Sequence, residues 1–183
     1  MNFLYKDSNN NQLHHPKVNT IISDGRRFLA RSQKKYDIIS VNITSPYSVG
    51  GSFFLTKEYY EVAKNKLNKD GIYSQMVWGL NNKEIIHTLK SVFPYVTAAP
   101  AYDYNGILLL ASKKPLKLKK DPNYYNQYWS LFNNTPHLET FNKGEEIVQK
   151  LLKEKPKYII SDDRADILFE MNKFMGFLWT YKR

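Results

Sequence analysis

The sequence contains no cysteine, which excludes disulfides, a thiol nucleophile and cysteine metal ligands. Its four histidines show no H-x-x-x-H spacing, so we expect no metal centre. Glycine is scarce, and none stands ahead of Asp24 to form a G-x-G turn. No apolar run approaches the roughly 20 residues that cross a bilayer, and no signal peptide opens the sequence. We therefore expect a cytoplasmic protein.

The chain carries a formal net charge of +10, with 27 basic and 17 acidic residues. A basic balance can indicate binding to a phosphate backbone. Here lysine accompanies frequent asparagine, and the densest run, "KKPLKLKK" (residues 113–120), is typical of a solvated connector. We expect no nucleic-acid partner. With 42% hydrophobic residues, the 183 residues are sufficient for one globular core.

Apolar periodicity predicts an alternation of strands and helices. The predicted strands are "VNTII" (18–22), Tyr36–Val41, "GIYSQMVW" (71–78), "YVTAAPAY" and "GILLLAS". The continuous apolar run at Tyr36–Val41 indicates a parallel strand buried on both faces. Thr56 is a predicted N-cap for the helix "KEYYEVAKNKL", which Asp70-Gly71 would end.

Strands separated by helices of this length predict an α/β fold with a mainly parallel sheet. The last two strands form the exception, an antiparallel pair joined through Asn105-Gly106. We predict a Rossmann-like unit over residues 1–115. The remaining residues, 116–183, are predicted to be a helical extension that packs on the same unit, with "GEEIVQKLLKEK" as one of its helices.

Six segments occur in order: "SDGRRFL", "YDIISVNITSP", "LTKEYYEVAKNKLNKDGIYSQ", "VFPYV", "YNGILLLASK" and "SDDRADILFE". Together they resemble the spermidine synthase-like family, the polyamine aminopropyltransferases, and above all its membrane-fused bacterial members. The resemblance implies a class I methyltransferase-like Rossmann fold. It also implies aminopropyl transfer from decarboxylated S-adenosylmethionine, as cosubstrate, to a polyamine acceptor, with no intrinsic cofactor.

The resemblance assigns a nucleoside-binding role to Asp24 and Gly25, with the carboxylate accepting from the adenine amine. The alternative is a turn in which Asp24 only caps a helix. Gln75 matches a frequent family glutamine, which the resemblance places among the substrate-binding residues, or else it is a buried strand glutamine that the backbone satisfies. Tyr104 matches a tyrosine that borders the acceptor pocket, or else packs in the core.

The loop Asn42 to Pro46, which includes Thr44 and Ser45, follows a parallel strand at the edge where ligands bind in open α/β sheets. In the active family members, the positions of Asn42 and Ser45 are aspartates that deprotonate the attacking amine and bind the diamine. A carboxamide has no useful basicity near neutral pH. Ordinary spermidine synthesis by this chain is therefore not expected.

The first two strands of the Rossmann unit, with their glycine-rich turn, have no counterpart before Asp24. The fold is thus predicted to be incomplete, and the chain is expected to be truncated and inactive alone. A partner chain or an upstream segment would supply the missing strands; a homo-oligomer is left open. The alternative function is a non-catalytic assembly module completed by a partner, with a Rossmann methyltransferase relative less favoured.

Overall fold

The computed structural model describes residues 14–42, 49–77, 82–100, 107–116 and 139–163. Within these ranges the helices are α1 (Gly25–Arg31), α2 (Val49–Ser52), α3 (Lys57–Lys66), α4 (Asn82–Val92) and α5 (Glu139–Lys153). The strands are β1 (Tyr36–Val41), β2 (Leu67–Val77), β3 (Tyr95–Pro100) and β4 (Ile107–Ser112). The predicted α/β class is confirmed.

The four strands form one sheet in the order β1-β2-β4-β3. β1 pairs with β2 in parallel, whereas β4 runs antiparallel to both β2 and β3. β1, β2 and β3 therefore point the same way, and β4 alone among the described strands is reversed. The predicted antiparallel pair, β3 and β4, is confirmed. The absence of two strands ahead of β1 stays a prediction, because residues 1–13 lie outside the described ranges.

Local sequence signals set the start of α3. The Thr56 hydroxyl accepts a hydrogen bond from the Tyr59 backbone N–H at 3.3 Å, which confirms the predicted N-cap. The helix ends at Lys66, before the predicted stop at Asp70-Gly71, and β2 begins directly at Leu67. Helix and strand are thus joined with no intervening loop.

The pairing of β1 with β2 contains one irregularity, between Tyr36 and Ile38. Gly71 lies at this point, and a Cβ there would come within 2.9 Å of the Tyr36 carbonyl oxygen. Any side chain would push the two strands apart, so the close approach requires glycine.

One face of the sheet, which we call the closed face, is buried against helices. Its side chains are Ile39, Val41, Tyr73, Gln75, Val77, Val96, Ala98, Ile107, Leu109 and Ala111. The Tyr73 ring contacts Tyr59 and Tyr60 of α3, with centroid distances of 6.3 and 5.6 Å, and it stacks on Phe93 at 5.7 Å. This aromatic cluster packs on the sheet and forms part of the core.

The opposite face, which we call the open face, mixes apolar side chains with Ser40, Ser74, Thr97 and Ser112 and is only partly covered. Its members follow from the two-residue alternation of strands and from the strand register. Its large apolar side chains are Ile38, Ile72, Met76, Tyr95, Leu108 and Leu110. The prediction that the strand Tyr36–Val41 is buried on both faces is wrong. Ile38 is 66% exposed, because the aromatic side chains of α3 pack on the closed face instead.

The predicted strand at residues 18–22 is not formed. Ile22 is fully exposed, and Val18 and Ile21 are about half exposed. A strand exists only when a neighbour accepts its backbone hydrogen bonds, and β1 ends the described sheet on this side. The predicted strand at residues 18–22 is therefore wrong, although the segment is rich in apolar residues.

The helix predicted from "GEEIVQKLLKEK" is confirmed as part of α5. The Nε2 atom of His87, on α4, lies 2.8 Å from the Glu154 carbonyl oxygen and 3.2 Å from the Leu151 carbonyl oxygen. Val148 of α5 is fully buried. α5 is therefore held against α4 and β3. The division of the chain at residues 115 and 116 stays a prediction.

Candidate functional site

Asp24 and Gly25 lie at the start of α1. The Asp24 Oδ1 atom accepts a hydrogen bond from the Arg27 backbone N–H at 2.7 Å, so Asp24 is the N-cap of the helix. The cap uses one carboxylate oxygen, and an ionised carboxylate can accept further hydrogen bonds through the other. Asp24 is exposed, so a ligand could reach it. Its contact with an adenine amine stays a prediction.

Asn42 follows the last residue of β1 and is exposed. Val41 lies opposite Gln75 in the register with β2, so Asn42 leaves the sheet at the carboxyl edge of these two parallel strands. Ligands of open α/β sheets bind at this edge. The Asn42 side chain offers hydrogen bonds there, but it cannot take up a proton near neutral pH.

Gln75 is fully buried on the closed face. Its Oε1 atom accepts hydrogen bonds from the hydroxyls of Tyr60 at 2.8 Å and Tyr73 at 3.0 Å, and its Nε2 donates to the Phe54 carbonyl oxygen at 3.2 Å. Burial raises the pKa of both tyrosines, so both hydroxyls stay protonated and act as donors. Gln75 is therefore a satisfied buried strand residue in this structure, and its contact with substrate stays a prediction.

Phe54 connects two of the sequence-predicted positions. The Phe54 carbonyl oxygen accepts the hydrogen bond from Gln75. The Phe54 ring lies beside Gly25, where an added Cβ would be 3.6 Å from the ring carbon Cζ. The ring also meets Tyr59 edge-on, with centroids 4.9 Å apart. The Asp24-Gly25 turn is thus joined to β2 through a single aromatic residue.

An ion pair ties Asp162, in the described part of "SDDRADILFE", to the first turn of α1. Arg26 donates to both carboxylate oxygens of Asp162, from Nη1 to Oδ1 at 2.9 Å and from Nη2 to Oδ2. It also donates to the Phe53 carbonyl oxygen at 3.2 Å. Burial acts to raise the pKa of Asp162, but hydrogen bonds from Arg26 and Thr56 and the charge of Arg26 outweigh it. The pKa of this carboxyl is therefore lowered.

The structure links Gly25 to Gln75 through Phe54, and the strand register places Val41, the residue before Asn42, opposite Gln75. Four other predicted positions, Thr44, Ser45, Pro46 and Tyr104, lie outside the described residues, as does the Asn105-Gly106 turn.

Sequence reasoning missed the residues that hold this site together. Tyr60 and Tyr73 lie in the predicted helix "KEYYEVAKNKL" and the predicted strand "GIYSQMVW", and apolar periodicity gives no signal that their hydroxyls converge on one glutamine. Arg26 and Asp162 lie in two of the six family-like segments, "SDGRRFL" and "SDDRADILFE", so their shared membership in that pattern was an available signal.

Residues 2–120 match the spermine/spermidine synthase domain. The chain belongs to the spermine/spermidine synthase domain family. The predicted resemblance to spermidine synthases is thereby confirmed, whereas the closer similarity to membrane-fused members stays a prediction.

Curated relatives of the family are polyamine aminopropyltransferases. The one from Methanocaldococcus jannaschii is 34% identical over 122 residues, which cover 60% of this chain and 41% of that protein. The one from Buchnera aphidicola is 30% identical over 135 residues, which cover 60% of this chain and 46% of that protein. The chain thus spans less than half the length of these relatives.

Solved spermidine synthases share the fold. One, in complex with the transition-state analogue AdoDATO, superposes with a TM-score of 0.61 at 21% identity, over 82% of this chain and 55% of that chain. The spermidine synthase from Thermotoga maritima gives 0.58 at 20% identity, over 82% and 54%. Within the described ranges, no helix has the length and apolarity to span a membrane.

Proposed function

We propose that this chain supplies the acceptor-side part of an aminopropyltransferase unit and is inactive by itself. Its substrates would be a polyamine and, as cosubstrate, decarboxylated S-adenosylmethionine, in keeping with the family to which it belongs. The observation that carries the proposal is the position of Asn42. It is exposed at the carboxyl edge of β1, beside β2, where the chemistry of amine attack requires a base.

The acceptor amine must lose a proton to attack the aminopropyl carbon, and a positioned base contributes about 10²- to 10⁴-fold to such a step. Asn42 offers a carboxamide in place of that base. Ser45, the second position of the pair, has a hydroxyl in place of a carboxylate. An ammonium group of the acceptor would lose a charge-assisted hydrogen bond of about 1.5 to 3 kcal/mol at each such replacement.

The test is an aminopropyl-transfer assay with the purified chain, decarboxylated S-adenosylmethionine and putrescine. We expect no spermidine above a heat-inactivated control, and none after the double change Asn42→Asp and Ser45→Asp, because the two carboxylates alone do not supply the part of the unit that binds the cosubstrate. The Methanocaldococcus jannaschii relative serves as the positive control. Turnover by the unaltered chain would contradict the proposal.

The second candidate is a non-catalytic assembly module completed by a partner chain, and the exposed open face favours it. The two candidates differ in nucleoside affinity. A completed transferase binds decarboxylated S-adenosylmethionine once the partner is present, whereas a module associates tightly with its partner and binds no nucleoside.

A further inference from the structure

The helices α1, α3 and α4 end at the edge of the sheet where β1 and β2 begin, which we call the amino edge. Lys35 lies there, because it immediately precedes β1. β4 runs in the opposite direction and ends at Ser112, so Lys113 reaches the same edge. Asn42 follows the other end of β1, about 20 Å away at roughly 3.3 Å per residue. The amino edge is therefore separate from the candidate functional site.

Lysine side chains meet the backbone carbonyl oxygens at these helix ends. They form what we call the lysine cluster, which consists of Lys35, Lys64, Lys66 and Lys113. Lys66 donates to the residue that caps α1, Lys64 donates to the last residue of α4, and the other two donate to the last turn and the cap of α3. The accepting carbonyl oxygens are those of Ser32, Val92, Asn65 and Leu67. The cluster therefore joins three helix ends at one edge of the sheet.

Helix capping explains only part of this arrangement. A lysine at the end of a helix is stabilising, because the carbonyl oxygens there carry a partial negative charge. That charge is about −0.5 per helix, so three helix ends supply about −1.5 against the positive charges of four lysines. Each ammonium group has three N–H donors, and its bond to a helix end uses one of them. The lysine cluster thus retains an excess of positive charge and of hydrogen-bond donors.

The carboxylates of the described residues do not offset this excess. Within the described ranges, none of the four lysines forms an ion pair. The acidic residues that lie within four positions of the cluster have other partners: Asp37 with the Asn68 amide, Glu61 with Lys57, and Asp70 with Lys114. An anion bound to the cluster would therefore meet ammonium groups that no described carboxylate neutralises.

Lys113 is the first residue of the basic run "KKPLKLKK", of which the structure describes residues 113–116. Its side chain is half-buried, and its Nζ atom lies 2.7 Å from the Leu67 carbonyl oxygen. Burial lowers the pKa of Lys113, and the charges of Lys35 and Lys64 lower it further. These like charges are held close enough to repel one another. The repulsion costs free energy, which an anion bound among the three ammonium groups would offset.

We propose that the lysine cluster binds a small soluble anion that carries two or more phosphate groups, that is, an oligophosphate. The cluster extends over β1, β2 and β4, and three neighbouring strands at about 4.8 Å spacing span about 10 Å. A single phosphate cannot contact ammonium groups across that width, whereas a short chain of phosphates can. Lysine suits such a ligand, because its point charge moves on a flexible stem to meet each phosphate oxygen. The short span favours an oligophosphate over a nucleic-acid strand.

The test is isothermal titration calorimetry of the full chain with inorganic tripolyphosphate at low ionic strength. The cluster variant combines Lys35→Gln with Lys113→Gln. The matched control combines Lys57→Gln with Lys83→Gln, because it removes the same charge from the opposite ends of α3 and α4. We expect binding by the unaltered chain, at least tenfold weaker binding by the cluster variant, and less than a twofold change in the control.

Absence of binding by the unaltered chain would overturn the proposal. Equal weakening in the two double variants would also overturn it, because the attraction would then come from the net charge of the whole chain. Thermal unfolding without ligand verifies that each variant is folded. The single change Lys113→Arg keeps the charge at this position and should retain most of the affinity.

A second measurement needs no variant. The unaltered chain is reductively methylated with and without tripolyphosphate, and mass spectrometry gives the extent of methylation at each lysine. The four lysines of the cluster should be protected severalfold, whereas Lys57 and Lys83 should not be. Equal protection at all lysines would contradict the proposal. A single-stranded oligonucleotide is the competing ligand: if it protects the cluster and tripolyphosphate does not, the proposal is overturned in favour of a nucleic acid.

Discussion

The two faces of the sheet differ in environment and in polar content, because Gln75 is the one polar side chain named on the closed face whereas the open face carries Ser40, Ser74, Thr97 and Ser112. On the closed face, Tyr73 and Leu109 have no exposed surface, and helix side chains surround them. On the open face, Leu110 is half-buried and Ile38 is mostly exposed, although both lie next in sequence to closed-face residues. The two faces therefore differ both in their polar content and in which elements cover them.

The largest expected effect is on the free energy of unfolding, and it separates Leu109 from Leu110, two leucines of β4 that point to opposite faces. Leu109→Ala should lower the free energy of unfolding by about 2 to 5 kcal/mol, because it leaves a cavity in a closed core. Leu110→Ala should cost roughly 1 to 2 kcal/mol, since its side chain is only half-buried. Urea unfolding measures both, and equal losses would show that the open face is covered in the free chain.

The next effect tests the polar centre of the closed face. Gln75→Met leaves the hydroxyls of Tyr60 and Tyr73 and the carbonyl of Phe54 without their partner, and should cost about 1 to 3 kcal/mol. Adding Tyr60→Phe and Tyr73→Phe to the same chain should recover part of the loss, because fewer buried polar groups are then unpaired.

Urea unfolding again provides the measurement, with Gln33→Met as the control, since Gln33 is exposed. If Gln75→Met costs no more than Gln33→Met, the hydrogen-bond cluster does not contribute to stability. A triple variant that is less stable to urea than Gln75→Met alone would show that the tyrosine hydroxyls have other partners.

Contacts between residues close in sequence could be predicted, whereas contacts between distant residues could not. The starts of α1 and α3 were predictable, because Asp24 and Thr56 accept hydrogen bonds from residues three positions later. The antiparallel pair of β3 and β4 was also accessible, since a short connection joins two apolar segments. These elements depend on contacts that lie close in sequence.

What could not be predicted depends on residues far apart in the chain. The run at Tyr36–Val41 indicated a strand correctly, but its pattern cannot tell whether a helix covers Ile38. Residues 18–22 have the apolar composition of a strand but lack a neighbour to pair with. Arg26 and Asp162 are 136 positions apart, and the convergence of two tyrosines on Gln75 leaves no periodic signature.

A smaller effect concerns pH and the Arg26–Asp162 pair, which fixes the Asp24-Gly25 turn. The lowered pKa of Asp162 means that its stabilisation is fully present above the ordinary value of 3.8 and is lost as the pH falls through the lower, folded-state value. Asp162→Asn should therefore destabilise the chain at neutral pH by less than about 1 kcal/mol, as expected for a pair near the surface.

Thermal unfolding across a pH series measures this loss, and the difference between Asp162→Asn and the unaltered chain should shrink towards zero in strong acid. Asp163→Asn, a change at the exposed neighbouring aspartate, is the control and should leave the profile unaltered. A difference that stays constant with pH would mean that the charge of Asp162 is not what stabilises the turn.

The smallest change in the free energy of unfolding is expected at Ile38. Its neighbour Ile39, which points to the closed face, provides the comparison. Ile38→Thr keeps a β-branched side chain in the strand and removes surface that is already in water, so the free energy of unfolding should change by no more than about 0.5 kcal/mol. Ile39→Thr buries a hydroxyl in the closed face and should cost about 1 to 3 kcal/mol. If both changes cost the same, Ile38 is covered in solution. A loss that grows with protein concentration would then show that another copy of the chain covers it, because association stabilises only the folded state.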